Sequence, residues 1–163
     1  MPLQKPGRSK QDYGTPRIFL DAVERTFGLI DIDLAATTEN RVCSNFISPE
    51  FDSLTTPWQI GNRIAWLNPP FDDIAKWAKK CKDEQANLVG DGCILLLTPA
   101  SIGSNWFNNY VWLSANVYAI KGRITFVGQK APYPKDCILS RYHANCSTYL
   151  SVPTFNTWDW RIE

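Results

Sequence analysis

The sequence predicts an α/β domain with a mostly parallel central sheet, an antiparallel edge and helices on both faces. Three observations support this fold class. Short apolar strand patterns alternate with helical patterns along most of the chain. The segment 92–98 is apolar almost throughout, which is typical of a strand covered on both faces. The later strand patterns follow one another without intervening helices, which indicates the antiparallel edge.

The chain of 163 residues has the size of one domain, and its composition is that of a globular protein. Hydrophobic residues make up 44% and charged residues 20%, which excludes a disordered or fibrous chain. The formal net charge of +1 neither predicts nor excludes nucleic-acid binding, because a local basic patch is sufficient. Apolar runs are too short for a membrane span, and the N-terminus lacks the apolar core of a secretory signal. We therefore expect a cytoplasmic protein without a membrane contact or an obligate protein partner.

The cysteine and histidine content disfavours disulfide and metal chemistry. Five cysteines occur without a Cys-x-x-Cys pair, so we expect reduced, mostly buried thiols and neither a disulfide framework nor a zinc site. The single histidine, His143, removes most Ser-His-Asp and His-metal sites from consideration. No metal ion is therefore expected.

The first part of the chain contains an arm and a helix. Residues 1–12 are polar and basic, which predicts a flexible basic arm ahead of a single domain at 13–163. The arm is either a plain terminus or a contact to phosphates. Thr15 is a suitable N-cap and Pro16 a suitable first residue for a helix that ends at Gly28.

A strand pattern over residues 29–35 follows the helix, with Asp33 near its end. Residues 36–62 lack periodicity, and a segment of that length inside a compact domain is usually functional or wraps a ligand. The next strand pattern, 63–67, leads directly into Asn68-Pro-Pro-Phe71, after which Asp72 or Asp73 is suited to cap a helix.

The remaining elements are a capped helix and several strands. Ser104 is suited to cap a helix with Trp106 and Phe107 on its inward side. Strand patterns cover 116–120 and 124–127, and a closing hairpin is expected from 137–142 and 146–152; Trp158 and Trp160 should pack on the sheet. Ligands bind beyond the carboxyl ends of the strands in such sheets, so the expected site segments are 33–36, 68–71 and 98–101.

The segment Asn68-Pro-Pro-Phe71 carries the clearest chemistry. Two prolines fix their φ angles and remove two backbone donors, which makes the loop stiff. The side-chain oxygen of Asn68 and the carbonyl of Pro69 are two neighbouring acceptors, and Phe71 adds a flat apolar face. This set suits a planar group with an exocyclic amine, such as adenine. The alternative is a rigid turn between a strand and a helix.

Asn68-Pro-Pro-Phe71 resembles the Asn/Asp-Pro-Pro-Tyr/Phe motif of amino-methyltransferases that use S-adenosylmethionine. Over roughly residues 12–142 the chain resembles the phage and prophage DNA N6-adenine methyltransferase (Dam-type) family. The resemblance depends on an ordered set of motifs: Tyr13-Gly-Thr-Pro16, Asp31-Ile-Asp-Leu-Ala-Ala36 with Glu39-Asn40, Trp66–Phe71, Leu97-Thr-Pro-Ala100, Trp106-Phe107, Ile120–Phe126 and Ala131-Pro-Tyr-Pro134. Asp-Leu-Ala-Ala stands where many methyltransferases have Gly-x-Gly, which weakens the generic match.

The resemblance implies a Rossmann-like class I methyltransferase domain that methylates N6 of a flipped adenine in DNA, marking phage DNA against host restriction. It implies that Asn68, Pro69, Pro70 and Phe71 are catalytic and that S-adenosylmethionine is the cofactor. The implied cofactor residues are Tyr13, Thr15, Pro16, Asp33, Ala35, Ala36, Asn40 and Asp52. The implied residues of the base pocket or DNA contact are Arg123, Phe126 and Lys130.

Two other functions remain open from the sequence. The same motif fits cytosine N4 or another amine or amide acceptor, because the acceptor pair recognises an amine and not one particular ring. A non-catalytic phage DNA-binding module on the same fold is the other alternative. DNA is the expected macromolecular partner both of an adenine methyltransferase and of a non-catalytic DNA-binding module.

Overall fold

A computed structural model describes residues 13–144 and 152–162. The strands of this part of the chain are Ile32–Asp33 (β1), Ile64–Leu67 (β2), Cys93–Pro99 (β3), Asn116–Ile120 (β4), Cys137–His143 (β5) and Phe155–Trp158 (β6). The α-helices are Arg17–Phe27 (α1), Ile74–Glu84 (α2) and Asn105–Tyr110 (α3). The predicted arm at 1–12 lies outside the described residues.

The six strands form one sheet with the order β1-β2-β3-β5-β4-β6. The pairs β1–β2, β2–β3 and β4–β6 are parallel, whereas β5 is antiparallel to both of its neighbours. The prediction of a mixed α/β fold with a mostly parallel sheet is therefore confirmed. The prediction of an antiparallel edge is wrong, because the antiparallel strand lies inside the sheet, between β3 and β4.

Helices cover both faces of the sheet. Successive strand residues point to opposite sides, so a strand that is apolar throughout provides an apolar surface on each face for a helix to pack on. Along β3, Ile94 and Leu96 join a cluster that includes Trp77 of α2 and Phe107 of α3. Leu95 and its neighbours on the other face join a second cluster that includes Phe19, Leu20 and Val23 of α1. Every residue of β3 is buried, as the apolar pattern predicts.

Helix α1 begins one residue later than the sequence predicts. Pro16 is its N-cap and Arg17 its first residue, and the start has no side-chain cap. The predicted capping role of Thr15 is wrong, because its hydroxyl accepts a hydrogen bond from Asn68 instead. The helix ends at Gly28 as predicted, where the backbone adopts φ 107°. None of the helices in the described ranges is long and apolar enough to cross a membrane.

The N-terminus of α3 has the predicted side-chain cap, whereas the N-cap residue of α2 makes no capping hydrogen bond. The Ser104 hydroxyl accepts a hydrogen bond from the N–H of Phe107, as the sequence predicts for a capped helix. Asp73 is the N-cap residue of α2, but its side chain makes no capping bond and lies 2.8 Å from the Lys76 ammonium. A short 3₁₀ turn, Phe71–Asp73, connects the motif to α2.

Two strand predictions are wrong. Residues 124–127 form a loop and not a strand. The alternation that suggested a strand arises because Ile124 and Phe126 are buried in the second cluster while the residues that follow each of them are exposed. The closing hairpin is also contradicted for the described residues, because β3 and β4 pair with both edges of β5. Of its second predicted strand, 146–152, residues 146–151 lie outside the described residues. Only residues 32–33 of the predicted strand 29–35 pair as a strand.

Aromatic rings attach the last strand to the first helix. Trp158 and Trp160 lie 5.8 and 5.2 Å from Phe19 between ring centroids. Trp158 also makes an edge contact with Phe27, at 5.5 Å. These contacts confirm that both tryptophans pack against the second cluster, on one face of the sheet.

The four described cysteines, Cys43, Cys81, Cys93 and Cys137, are free thiols, as expected; Cys146 lies outside the described residues. Burial raises the pKa of the Cys137 thiol to about 12 and that of Cys81 well above its usual value. Both groups therefore remain protonated at neutral pH and behave as small apolar side chains.

Gly92 precedes β3 at a close backbone crossing. A Cβ at this position would lie 1.9 Å from the carbonyl oxygen of Gly61, so no side chain fits without a backbone shift. We expect Gly92→Ala to lower the free energy of unfolding by at least about 1–3 kcal/mol.

The matched control is Gly103→Ala, because a Cβ at Gly103 would meet no atom within 4 Å. We expect this control to change stability by less than about 1 kcal/mol. Urea unfolding followed by circular dichroism compares the two variants with the wild type. Equal midpoints for all three proteins would contradict the close approach at Gly92.

Candidate active site

The candidate site lies at the edge of the sheet where β1, β2 and β3 end. These strands are parallel, with Asp33 opposite Trp66 and Trp66 opposite Leu95, so their carboxyl ends share one edge. The segment 68–71 follows β2 directly, and the segment 34–47 follows β1. The shared edge brings together the residues that the sequence marks as candidates at two of these strand ends.

The carboxamide of Asn68 is fixed by two acceptors from the segment before α1. Its Nδ2 donates to the backbone oxygen of Tyr13 at 3.2 Å and to Oγ1 of Thr15 at 3.1 Å. The orientation follows from these partners, because a backbone carbonyl can only accept and must face the nitrogen of the amide. Both amide hydrogens are used, and Thr15 is only 8% exposed, so water competes little for this contact.

Two acceptors beside this anchor remain available. The carboxamide oxygen of Asn68 receives no hydrogen bond from any residue within the described ranges, nor does the carbonyl oxygen of Pro69. Pro69 and Pro70 have no N–H and cannot supply a competing donor. The structure adds to the sequence prediction that the Asn68 carboxamide has one orientation, set by its two hydrogen-bond partners.

Four aromatic rings close a narrow slot beside Asn68 and Pro69. Tyr13 and Phe126 are nearly parallel, with an interplanar angle of 18° and centroids 5.9 Å apart. Phe71 and Tyr133 make edge contacts with Phe126 at 6.4 and 5.8 Å and with each other at 5.6 Å. The slot between Tyr13, Asn68, Pro69, Phe71 and Phe126 encloses only about 10 Å³. The rings must therefore separate before a planar group can enter.

A larger cavity of about 270 Å³ adjoins the slot, and Tyr13 and Asn68 line both. This volume is just below the range for small-molecule pockets, roughly 300–1,000 Å³. Its wall contains most of the residues predicted to hold a cofactor: Tyr13, Ala35, Ala36, Asn40 and Asp52. Sequence reasoning missed several lining residues, Thr37, Ile47, Ser48, Pro49, Ser53 and Trp77, because no motif marks them.

The loop that forms one side of the cavity is organised by Asp33. Its carboxylate is 3% exposed and accepts the backbone N–H of Ala35 at 3.3 Å and that of Val42 at 3.1 Å. Burial raises the pKa of this carboxyl to about 6, although both hydrogen bonds act in the opposite direction. Asp33 lies behind the cavity wall, beside a small gap that it shares with Thr15 and Asn40.

Asn40 and Asp52 present side chains toward the cavity for different local reasons. Asn40 Oδ1 accepts the N–H of Thr37 at 2.7 Å while the Thr37 hydroxyl accepts the N–H of Asn40 at 3.3 Å, which closes a tight turn. Asp52 caps a 3₁₀ turn with φ 40°, a left-handed conformation that is uncommon for a residue with a side chain. The Asp52 carboxylate has no hydrogen bond to the described residues.

Five candidate residues line neither the cavity nor the slot. Thr15 and Asp33 border the small gap described above, and the other three line none of these spaces. Pro16 starts α1 and lines neither space, Arg123 is exposed with its Nε 3.5 Å from an oxygen of Asp136, and Lys130 is exposed on the following loop. Phe126 is the predicted residue from this region that the structure brings to the motif. Tyr133 is a site residue that sequence reasoning quoted in a motif without assigning it a role.

Comparison with known proteins places these features in a family. Residues 4–139 match the family model described as DNA N-6-adenine-methyltransferase (Dam). The chain is 31% identical over 130 residues to the DNA N-6-adenine-methyltransferase of Escherichia phage T1, covering 71% of this chain and 53% of that protein. It is 26% identical over 133 residues to the protein of the same name from Haemophilus phage HP1, covering 78% of this chain and 75% of that protein. The chain thus spans about half the length of the phage T1 relative.

The raised pKa of Asp33 predicts a specific pH dependence of stability. The folded protein binds the proton of Asp33 more tightly than the unfolded chain does. The stabilisation of the folded state by this proton is therefore complete below the ordinary pKa of 3.8, and it is lost as the pH rises through the folded-state pKa of about 6. Relative to Asp33→Asn, the wild type should lose up to about 3 kcal/mol of unfolding free energy across this interval. Urea unfolding of both proteins at closely spaced pH values measures the difference, and a constant difference would contradict the buried carboxyl.

Proposed function

The chain belongs to the DNA N-6-adenine-methyltransferase (Dam) family, and from this premise we propose that it methylates N6 of adenine in DNA with S-adenosylmethionine as cofactor. The observation that carries the proposal is the anchored carboxamide of Asn68, which has both hydrogens occupied and its oxygen available beside an aromatic slot. The neighbouring cavity and the parallel strands that end at it support a Rossmann-like class I methyltransferase domain.

In the proposed mechanism the slot holds a flipped adenine. The Asn68 oxygen and the Pro69 carbonyl accept the two hydrogens of the N6 amine, which directs its lone pair out of conjugation with the ring. The same two oxygens stabilise the positive charge that develops at N6 during attack. Phe71 and the neighbouring rings bind the faces of the base by stacking. Positioning and charge stabilisation then account for most of the catalysis.

Several residues of the cavity support S-adenosylmethionine as its ligand. Asp52 has a free carboxylate at the rim that is suited to the cofactor's exocyclic adenine amine or to its ammonium group. Ala35 and Ala36 leave room for close approach, and Tyr13 and Trp77 supply flat apolar surface. When bound, the cofactor supplies the electrophilic methyl group. Because Tyr13 and Asn68 line both spaces, the proposed binding mode brings cofactor and base to one shared wall.

In the proposed mechanism a flipped base enters the slot by separating two of its rings. Extruding a base from a duplex costs a few kcal/mol, which stacking inside the slot can offset. Tyr13 and Phe126 lie face to face, so the base inserts only after the two rings separate. The rings protect each other's faces from water until a base replaces that contact.

The direct test is an assay of the product. Purified protein is incubated with S-adenosylmethionine and unmethylated DNA, and the digested nucleosides are compared with synthetic standards by mass spectrometry. N6-methyldeoxyadenosine is the expected product. N4-methyldeoxycytidine would reassign the base while keeping the site. The absence of methylated nucleosides together with absent cofactor binding in calorimetry would support a non-catalytic DNA-binding module.

Asn68→Ala removes the acceptor from the proposed base site. We expect turnover to fall by about 10²–10³-fold or more, because one charge-stabilising contact at a reacting centre is worth that factor. Cofactor affinity measured by calorimetry should remain close to that of the wild type. Asn109→Ala, which changes an exposed asparagine of α3, is the matched control and should keep full activity. Near wild-type turnover of Asn68→Ala would contradict the assignment.

Thr15→Val tests whether the hydroxyl of Thr15 positions Asn68 or binds the cofactor. Valine has nearly the same shape but cannot accept the hydrogen bond, so the carboxamide loses one of its two anchors. We expect kcat to fall by about ten- to a hundredfold with an unchanged cofactor dissociation constant. Thr15→Ser keeps the hydroxyl and should restore most of the rate. A weaker cofactor affinity with unchanged kcat would instead assign Thr15 to the cofactor.

A further inference from the structure

A second concave surface adjoins the aromatic slot, with which it shares Phe71. This flank groove has a volume of about 470 Å³, within the range of ligand pockets. It shares Phe71 with the slot and Tyr133 with the ring cluster that closes the slot. The other lining residues used below are Asp72, Asp73, Trp106 and Lys135. An extended molecule with one planar group in the slot would therefore continue directly into the flank groove.

The flank groove contains part of an aromatic ring, Trp106, whose remaining surface packs against the first core cluster. Trp106 is half-buried, and its one ring contact within the described residues is an edge contact with Phe107, at 6.1 Å. Phe107, the neighbour on the buried side of α3, is 4% exposed and fills the core. Trp106 and Tyr133 reach the groove from opposite segments, the helix after β3 and the loop before β5. Aromatic side chains arranged in this way bind nucleobases regardless of sequence.

The charges of the flank groove indicate how a nucleotide would lie in it. Lys135 is the one cation of the lining; it is exposed and forms no ion pair with the described residues. Asp72 and Asp73 also line the groove and disfavour a phosphate near them, although Lys76 partly neutralises Asp73 at 2.8 Å. The base therefore belongs in the groove and the phosphate at the rim beside Lys135.

We propose that the flank groove binds the nucleotide next to the target base on the same DNA strand, with its base stacked on Trp106 and its phosphate contacted by Lys135. This proposal rests on the proposed function, because it assumes that the slot receives a flipped base. It gives the chain a subsite for DNA beside the reacting base. The neighbour unstacks from the target when the target flips, and Trp106 replaces the lost stacking surface.

The test uses duplexes that contain one unmethylated target adenine at a site that the enzyme methylates. The neighbouring nucleotides are intact in one duplex, and the neighbour on the 5′ side or the 3′ side is abasic in the other two. For the wild type, one of the two abasic duplexes should lower kcat/KM by about 5- to 150-fold, the worth of one stack between a base and an aromatic ring. Trp106→Ala should lower kcat/KM on intact DNA and abolish the difference between intact and abasic duplexes. Trp106→Phe keeps a stacking face and should preserve the difference.

Trp112→Ala is the matched control, because Trp112 is 49% exposed just beyond α3 and lines neither the slot nor the flank groove. It should respond to abasic neighbours as the wild type does. Cofactor affinity of Trp106→Ala, measured by calorimetry, should equal that of the wild type and shows that the variant is folded. Lys135→Gln should raise KM for DNA and reduce the salt slope of binding by about one, whereas Lys79→Gln on α2 should not.

Two results would overturn the subsite. One is equal activity of the wild type on intact and both abasic duplexes. The other is an unchanged loss on abasic DNA in Trp106→Ala, which would assign the neighbour to another surface. Methylation of intact DNA in both cases would leave the proposed function standing. Absence of methylation by the wild type on every duplex would contradict the proposed function and the subsite together.

Discussion

The double hydrogen bond from the Asn68 carboxamide to the backbone of Tyr13 and the hydroxyl of Thr15 is the contact on which the site depends. It connects residues 55 and 53 positions apart and holds the segment before α1 against the end of β2. Without it, the carboxamide could rotate and present a donor where the proposed chemistry needs an acceptor. The two segments that this contact joins are close in space but far apart along the sequence.

The same contact sets the relation between the cavity and the slot. Tyr13 lines both spaces, stacks on Phe126 and supplies the carbonyl that holds Asn68. A ligand that moves the Tyr13 ring therefore acts on the wall shared by both spaces. For a reaction between two bound molecules, a wall that is shared by both spaces would keep the two ligands close together.

Asp33 provides the second constraint, by holding the loop after β1. Its buried carboxylate takes two backbone N–H groups that would otherwise lack partners, since β1 pairs over only two residues. The backbone N–H of Asp33 bonds to Asn45, and its carbonyl accepts from Ile47. A long loop without regular structure thereby receives a defined path around the cavity, at the cost of burying an ionisable group.

The elements whose signals are local follow from the sequence. The apolar run of β3, the Ser104 cap, the glycine at the end of α1 and the motif after β2 each depend on neighbouring residues and are found where predicted. Tertiary structure alone decided the inside position of β5, the loop path of Ile124 and Phe126, and the place of Tyr133 beside Phe71. It also decided that the Thr15 hydroxyl accepts a hydrogen bond from Asn68 and does not cap α1. The physical reason is that strand pairing, ring contacts and side-chain hydrogen bonds between distant segments depend on how the chain returns on itself, which residue spacing does not encode.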